Sequence, residues 1–260
     1  MIEVDRLCAA YGRRQVLHEV SARFRPGVVT AVVGPNGCGK STLLKAVVGL
    51  CRPSSGQVRL GGAELASLSS REAAQRVAYL PQSRNIPDIT ALRMVLHGRF
   101  AHLSYPRRYR PEDYACAQRA LEWVGAGELA PRLLKGLSGG QRQKVYIAMT
   151  LAQDTPAVLM DEPTTYLDVR GQLEVLRLSR RLARMGKAVV LVLHDLGSAL
   201  EWADELLVLR EGRAVAAGTP GEAVRSGELE RTFRISLHAA DTSQGRRYFC
   251  GFPEGEGPGS

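Results

Sequence analysis

The sequence predicts an α/β fold, and three apolar runs that stop at polar residues carry the prediction. Residues 28–33 end at Gly34, residues 157–160 end at Asp161 and Glu162, and residues 188–193 end at His194 and Asp195. Near-continuous Val, Leu and Ala without alternation indicates strands covered on both faces of a parallel sheet, with chemistry at their carboxyl ends. The composition agrees. Of 260 residues, 45% are hydrophobic and 23% charged, which excludes disordered and low-complexity classes. The length suits one large domain, or a core with a substantial insertion.

Each further element has its own signal. Residues 1–25 contain alternating segments, as in Ile2-Glu3-Val4 and Val16-Leu17-His18, and residues 56–62 resemble a hairpin partner, so an antiparallel sheet should flank the core. A Gly-rich loop follows the first apolar run and leads into a helix over residues 41–50. Between residues 87 and 152 the apolar period turns helical, clearest over 115–124, with Pro106, Pro111 and Pro131 at the edges. That region is expected to be a helical insertion. Residues 205–209 and 214–218 read as a hairpin turning at Gly212, after which Pro220 opens a helix. The tail, residues 251–260, is rich in Gly, Pro and Glu and is expected to be mobile.

Several classes are disfavoured. No apolar run approaches the roughly 20 residues that cross a bilayer. The N-terminus has no basic segment leading into an apolar one, so no secretory signal is visible and a cytoplasmic location is expected. Cys8, Cys38, Cys51, Cys116 and Cys250 form an odd set without CxxC spacing, which predicts free thiols, no disulfide and no zinc. The net charge of +9 comes mostly from arginine spread along the chain, since only Lys40, Lys45, Lys135, Lys144 and Lys187 are lysine. Charge alone selects no partner.

Gly34, Pro35, Asn36, Gly37, Cys38, Gly39, Lys40, Ser41 and Thr42 match GxxxxGK[ST] between a predicted strand and a predicted helix. Glycines let the backbone curl its N–H groups around phosphate oxygens, and the helix N-terminus adds its dipole. Lys40 would reach the β- and γ-phosphates, and the Ser41 hydroxyl would ligate Mg²⁺. Asp161 and Glu162 end a strand, where one carboxylate suits the metal shell and the next an attacking water. Alone, such a pair is more often a solvated strand end. Ser138, Gly139, Gly140 and Gln141 precede an apolar-periodic stretch and form a good helix cap, whose N–H groups suit a second anion.

In the order GPNGCGKST, LSGGQ, VLMDEP and His194, these motifs resemble the ATP-binding subunit of ABC transporters over about residues 1–235. The resemblance implies a RecA-like P-loop core, an antiparallel β subdomain and an inserted helical subdomain, with residues 1–240 as the ATP-binding domain and 241–260 as a C-terminal segment. It implies ATP and Mg²⁺ as ligands and a head-to-tail homodimer, in which each ATP lies between the P-loop of one copy and Ser138 to Gln141 of the other. Tyr11, 23 residues before Gly34, resembles the aromatic that stacks on adenine. Gln82 resembles the glutamine that contacts metal and water, Asp161 the metal carboxylate, Glu162 the general base and His194 the histidine on the γ-phosphate. Leu167 and Asp168 resemble the loop that crosses the dimer interface, although Tyr166 stands where many relatives have a small residue.

The stretch from Asp161 to Asp168, with His194-Asp195-Leu196 and Ala217-Gly218-Thr219-Pro220, is most similar to the subfamily powering uptake of iron-siderophore, haem and cobalamin complexes. That implies membrane permease subunits as partners, a substrate-binding protein reached indirectly, a place on the cytoplasmic face of the membrane, and no nucleic-acid partner. The alternatives are a subunit of another ABC transporter or a soluble ABC ATPase. A single cassette without long heptads argues against the latter. Cys38 departs from the commoner Ser, which would place an oxidisable thiol near the phosphates.

Overall fold

The strands marked by unbroken apolar runs pair in parallel and are buried on both faces. In the computed structural model, which describes residues 1–82, 86–243 and 245–253, β1 (Ile2–Tyr11), β2 (Arg14–Phe24) and β3 (Val29–Val33) come first, then α1 (Lys40–Val47). Next follow β4 (Pro53–Leu60), β5 (Ala63–Glu64), α2 (Ser70–Ala74) and β6 (Val77–Leu80). The helical region holds α3 (Ala91–Leu96), α4 (Pro111–Trp123) and α5 (Gly139–Ala152). Then come β7 (Ala157–Asp161), α6 (Val169–Arg184), β8 (Ala188–Val192), α7 (Leu196–Trp202), β9 (Glu205–Arg210) and β10 (Arg213–Gly218). The chain continues through α8 (Pro220–Arg225), α9 (Glu228–Phe233), β11 (Ser236–Thr242) and β12 (Gly245–Gly251).

Six strands form one sheet in the order β10-β9-β3-β8-β7-β6, parallel except for the β9–β10 hairpin. Every residue of β3, β7 and β8 is buried. Val32, Leu159 and Val190 face a core shared with α1 and a second sheet, β2-β1-β4-β5, to which Leu17, Phe24, Leu43 and Leu44 contribute. Ala31, Met160 and Leu191 face the opposite core, built with α6 and α7. Each fully buried Leu or Phe contributes about 1.5–3 kcal/mol against exposure, so both faces of the sheet are firmly held. The carboxyl ends of β3, β6, β7 and β8 share one edge, which is where the predicted site residues follow in sequence.

The helical insertion packs a core of its own around Val95, Leu96, Leu121, Leu134 and Val145. Pro111 opens α4 at its first turn, where its missing N–H costs nothing.

Two expectations change, and the expected antiparallel sheet carries an irregularity. The first helix stops at Val47, because Gly49 turns left-handed. The antiparallel strands are irregular: β1 and β2 shift register between Val4 and Leu7, and Arg6 and Glu19 take positive φ near the shifts. Gly251, placed in the mobile tail by the sequence reading, instead pairs with Ser236 in the β11–β12 hairpin. The hairpin joins α7 through the Arg247–Glu201 ion pair. Of the remaining tail, residues 254–260 lie outside the described residues.

Candidate nucleotide site

The loop after β3 is tight because two glycines permit it. A Cβ on Gly34 would run into the carbonyl oxygen of Leu209, and Gly39, at φ 106°, would place one 2.7 Å from the Leu17 side chain. No side chain caps α1 after Gly39, so its first-turn N–H groups have no side-chain acceptor. Lys40 is 6% exposed, and its Nζ donates to the carbonyls of Gly34 at 2.7 Å and Pro35 at 2.8 Å. A buried cation needs such partners. The ammonium and the uncapped turn together make an anion site.

A cleft of about 330 Å³ opens here, lined by Val16, residues of the loop from Asn36 to Thr42, Gln82, Glu162 and His194. Glu162 follows the last residue of β7, is 9% exposed and takes φ 52°, which is costly for a side chain with a Cβ. Its Oε1 lies 2.6 Å from His194 Nε2, and its Oε2 accepts from Gln82 Nε2 at 2.7 Å. Residues from the ends of three strands, far apart in sequence, thus meet on one carboxylate.

Asp161 is 1% exposed, and burial pushes its carboxyl up from the usual range, against hydrogen bonds from Ser41 and Tyr79 that pull it down. Tyr79 Oη donates to Oδ2 at 3.3 Å, while Oδ1 is buried without a hydrogen-bond partner. An orphaned carboxylate oxygen beside a serine hydroxyl is a hard oxygen donor set that fits Mg²⁺. Among the described residues there is no cluster of three or more His, Cys, Asp or Glu, so a metal here would need further ligands from phosphate and water.

The other predicted residues are not in this cleft. Ser138 caps α5: its Oγ accepts from Gln141 N at 3.2 Å, and Gln141 Oε1 accepts from Ser138 N at 3.1 Å. Gly139 and Gly140 lie against Tyr166 and Leu167. Asp168 caps α6, its Oδ1 accepting from Gly171 N at 2.7 Å. Tyr11 is 52% exposed at the end of β1, paired across the strand with Arg14. Cys38 is 6% exposed, and burial pushes its thiol up, which works against the oxidation sensitivity considered for it.

The sequence reading missed Tyr79 and Gln143. Tyr79 pairs with Leu159 in parallel register, two residues before Asp161, so a correct strand pairing would have pointed to it. Gln143 is buried, and its Nε2 donates to the carbonyl of Pro163 at 2.6 Å, tying α5 to the turn after Glu162. No local pattern marks it.

A family model described as ABC transporter matches residues 17–165. The chain is 41% identical over 239 residues to the ferric enterobactin transport ATP-binding protein of Escherichia coli (strain K12), covering 91% of this chain and 88% of that protein. It is 37% identical over 251 residues to the iron(3+)-hydroxamate import ATP-binding protein of Bacillus subtilis (strain 168), covering 96% and 93%. Among solved structures, an inward-facing transporter described as of the metal-chelate ABC type superposes with a TM-score of 0.82 at 28% identity, covering 96% of this chain and 95% of that one. A dimeric ATP-binding cassette bound to ADP and Pi matches with a TM-score of 0.76 at 26% identity, covering 85% and 99%.

Proposed function

The chain belongs to the ABC transporter ATP-binding family, and from that premise we propose that it is the ATP-hydrolysing subunit of an importer for iron-siderophore or related metal chelates such as haem or cobalamin. The relatives named above carry the choice of cargo, since the ATP site itself does not touch one. Residues 1–240 are read as the ATP-binding domain, with residues 87–152 as its helical subdomain. The subunit would sit on the cytoplasmic face of the membrane against separate permease subunits, with a substrate-binding protein beyond them. Among the described residues no helix is long and apolar enough to cross a membrane, which fits an attached rather than spanning subunit.

The observation that carries the mechanism is the Glu162 carboxylate held between Gln82 and His194 at the mouth of the phosphate loop. In our reading Glu162 takes a proton from water as its oxygen attacks the γ-phosphorus; the bond to the β-phosphate oxygen breaks, leaving ADP and phosphate. Lys40 and the N–H groups of residues 37–42 would offset charge on the β- and γ-phosphates, and His194 would donate to a γ-oxygen in place of its contact with Glu162. Asp161, Ser41 and Gln82 would hold Mg²⁺, which when bound neutralises phosphate charge. Tyr11 would lie on adenine.

Ser138, Gly139, Gly140 and Gln141 cap their own helix outside the cleft, so they are assigned to the ATP of a second copy, with Asp168 at the same interface. Closure of the dimer would then complete each site. Glu162→Gln tests this: ATP binding should persist, turnover should fall about 10²- to 10⁴-fold, and an ATP-dependent dimer should accumulate in size-exclusion chromatography. Turnover near wild type would overturn the assignment. Loss of ferric-chelate uptake in cells lacking the chain, restored by wild type but not by Glu162→Gln, tests the cargo.

A further inference from the structure

At the amino ends of β3 and β9, opposite the edge that carries the nucleotide site, a second cleft of about 750 Å³ opens between the two sheets. Its inner wall is apolar, with Val4, Phe24, Leu206 and Leu207 all buried there. Thr30, the second residue of β3, lines the same wall. Strand alternation puts Thr30 on the side of Val32, facing the second sheet, and it pairs in parallel register with Glu205 at the start of β9. Thr30 is 3% exposed, and its hydroxyl is buried without a hydrogen-bond partner. An unpaired buried hydroxyl is costly, and one that borders a cleft can be satisfied by a group that enters it.

The mouth of this cleft is charged, and its charges do not cancel. Arg25, one residue past β2, pairs with Glu205, and this contact ties the two sheets together. Asp5 lies 3.7 Å from Arg6 Nε, and its Oδ2 accepts from Gln57 Nε2 at 3.4 Å. Glu3 remains, and the strand register sets it opposite Arg23 on β2 and Arg59 on β4. Both arginines line the cleft and are exposed. One carboxylate between two guanidiniums leaves a positive charge over at the mouth, above an apolar wall and a lone hydroxyl.

We propose that this cleft binds a small organic acid. Its carboxylate or phosphate oxygens pair with Arg23 and Arg59 at the mouth, its apolar body lies on Phe24 and Leu207, and a polar atom at its far end bonds to the Thr30 hydroxyl. Guanidinium groups hold an oxyanion through two parallel N–H bonds, which a lysine ammonium does not. A cleft of several hundred Å³ with an apolar lining and few polar groups has the size and make-up that take a metabolite-sized molecule. It shares no lining residue with the cleft around Lys40 and Glu162, so this ligand site is separate from the nucleotide site.

Equilibrium dialysis of the purified full-length chain tests this, with ADP and Mg²⁺ in excess to fill the nucleotide site. The probes are 4-hydroxybenzoate and 4-hydroxyphenyl phosphate, which share a ring and a hydroxyl and differ in the oxyanion, and the uncharged 4-hydroxybenzyl alcohol. At least one acid should be retained at millimolar concentration and the alcohol should not, and the acid held more tightly identifies the oxyanion. Thr30→Val keeps the shape and removes the hydroxyl, so binding of the retained acid should weaken about 3- to 10-fold while the melting temperature holds or rises. Arg23→Gln/Arg59→Gln should weaken it about tenfold. Arg177→Gln/Arg184→Gln removes the same charge from α6 and should change it by less than about twofold. Retention of neither acid, or equal retention of the alcohol, would overturn the proposal, as would displacement of the probe by further ADP. So would a Thr30→Val chain that melts higher yet binds like wild type, since the hydroxyl would then be only an unpaired group in the wall. An equal loss in the α6 control would reduce binding to net charge and overturn it too.

Discussion

Two helices in this chain begin at glycine-containing turns, and they treat their first N–H groups in opposite ways. At α1 no side chain caps the terminus, and the first turn opens into the cleft that also holds Glu162, Gln82 and His194. At α5 the Ser138 hydroxyl and the Gln141 amide close a reciprocal capping box. The first terminus leaves its donors to a ligand, while the second satisfies its own and packs against Tyr166 and Leu167. The difference teaches that one chain supplies a phosphate loop together with the carboxylate proposed as general base, whereas the turn from Ser138 to Gln141 is capped by its own residues and lies outside that cleft.

That contrast can be broken by experiment. Lys40→Ala should remove the cation from the α1 site, lowering ATP affinity of the isolated chain roughly a hundredfold and turnover to background, as read by fluorescent-nucleotide titration. Tight binding by this variant would end the idea that α1 is the primary anion site. Gly140→Asp should leave ATP affinity of the single chain unchanged but lower turnover about a hundredfold, because the new carboxylate would oppose the phosphate held by the partner subunit. If it weakened single-chain binding equally, the two termini would not be functionally distinct.

Ser138→Ala sharpens the comparison at a smaller scale. Loss of the cap should cost about 1 kcal/mol and lower the melting temperature by about 2–4 °C, a cost with no counterpart at α1, where no side-chain cap exists to remove. The smallest effect concerns Cys38. Burial raises its thiol, so less thiolate is present at a given pH, and alkylation by iodoacetamide should run slower in the native chain than after unfolding, accelerating as pH climbs. Rapid native alkylation at neutral pH would show an open, reactive thiol beside the phosphates.

Much of the fold was legible because burial on both faces leaves a strong local mark. Runs such as residues 157–160 and 188–193 need no partner to be recognised, and they stop where the polar residues of the site begin. The hairpin turning at Gly212, the cap at Ser138 and the helix opened by Pro220 were readable for the same reason, since turn and cap chemistry is local. The β11–β12 hairpin was not, because its exposed residues have no apolar alternation and one end of it is held by an ion pair to α7.

Sequence by itself determined the order of elements, the anion-binding loop and the pair of acids, all written in neighbouring residues. Only the tertiary structure decided that Gln82 and His194 grip the same carboxylate from either side, that Tyr79 and Ser41 hold Asp161 while one of its oxygens stays unpartnered, and that Gln143 ties α5 to the turn after Glu162. The physical reason is separation along the chain. Parallel register brings residues roughly 80 positions apart within hydrogen-bond distance, and no local pattern encodes which of them will meet.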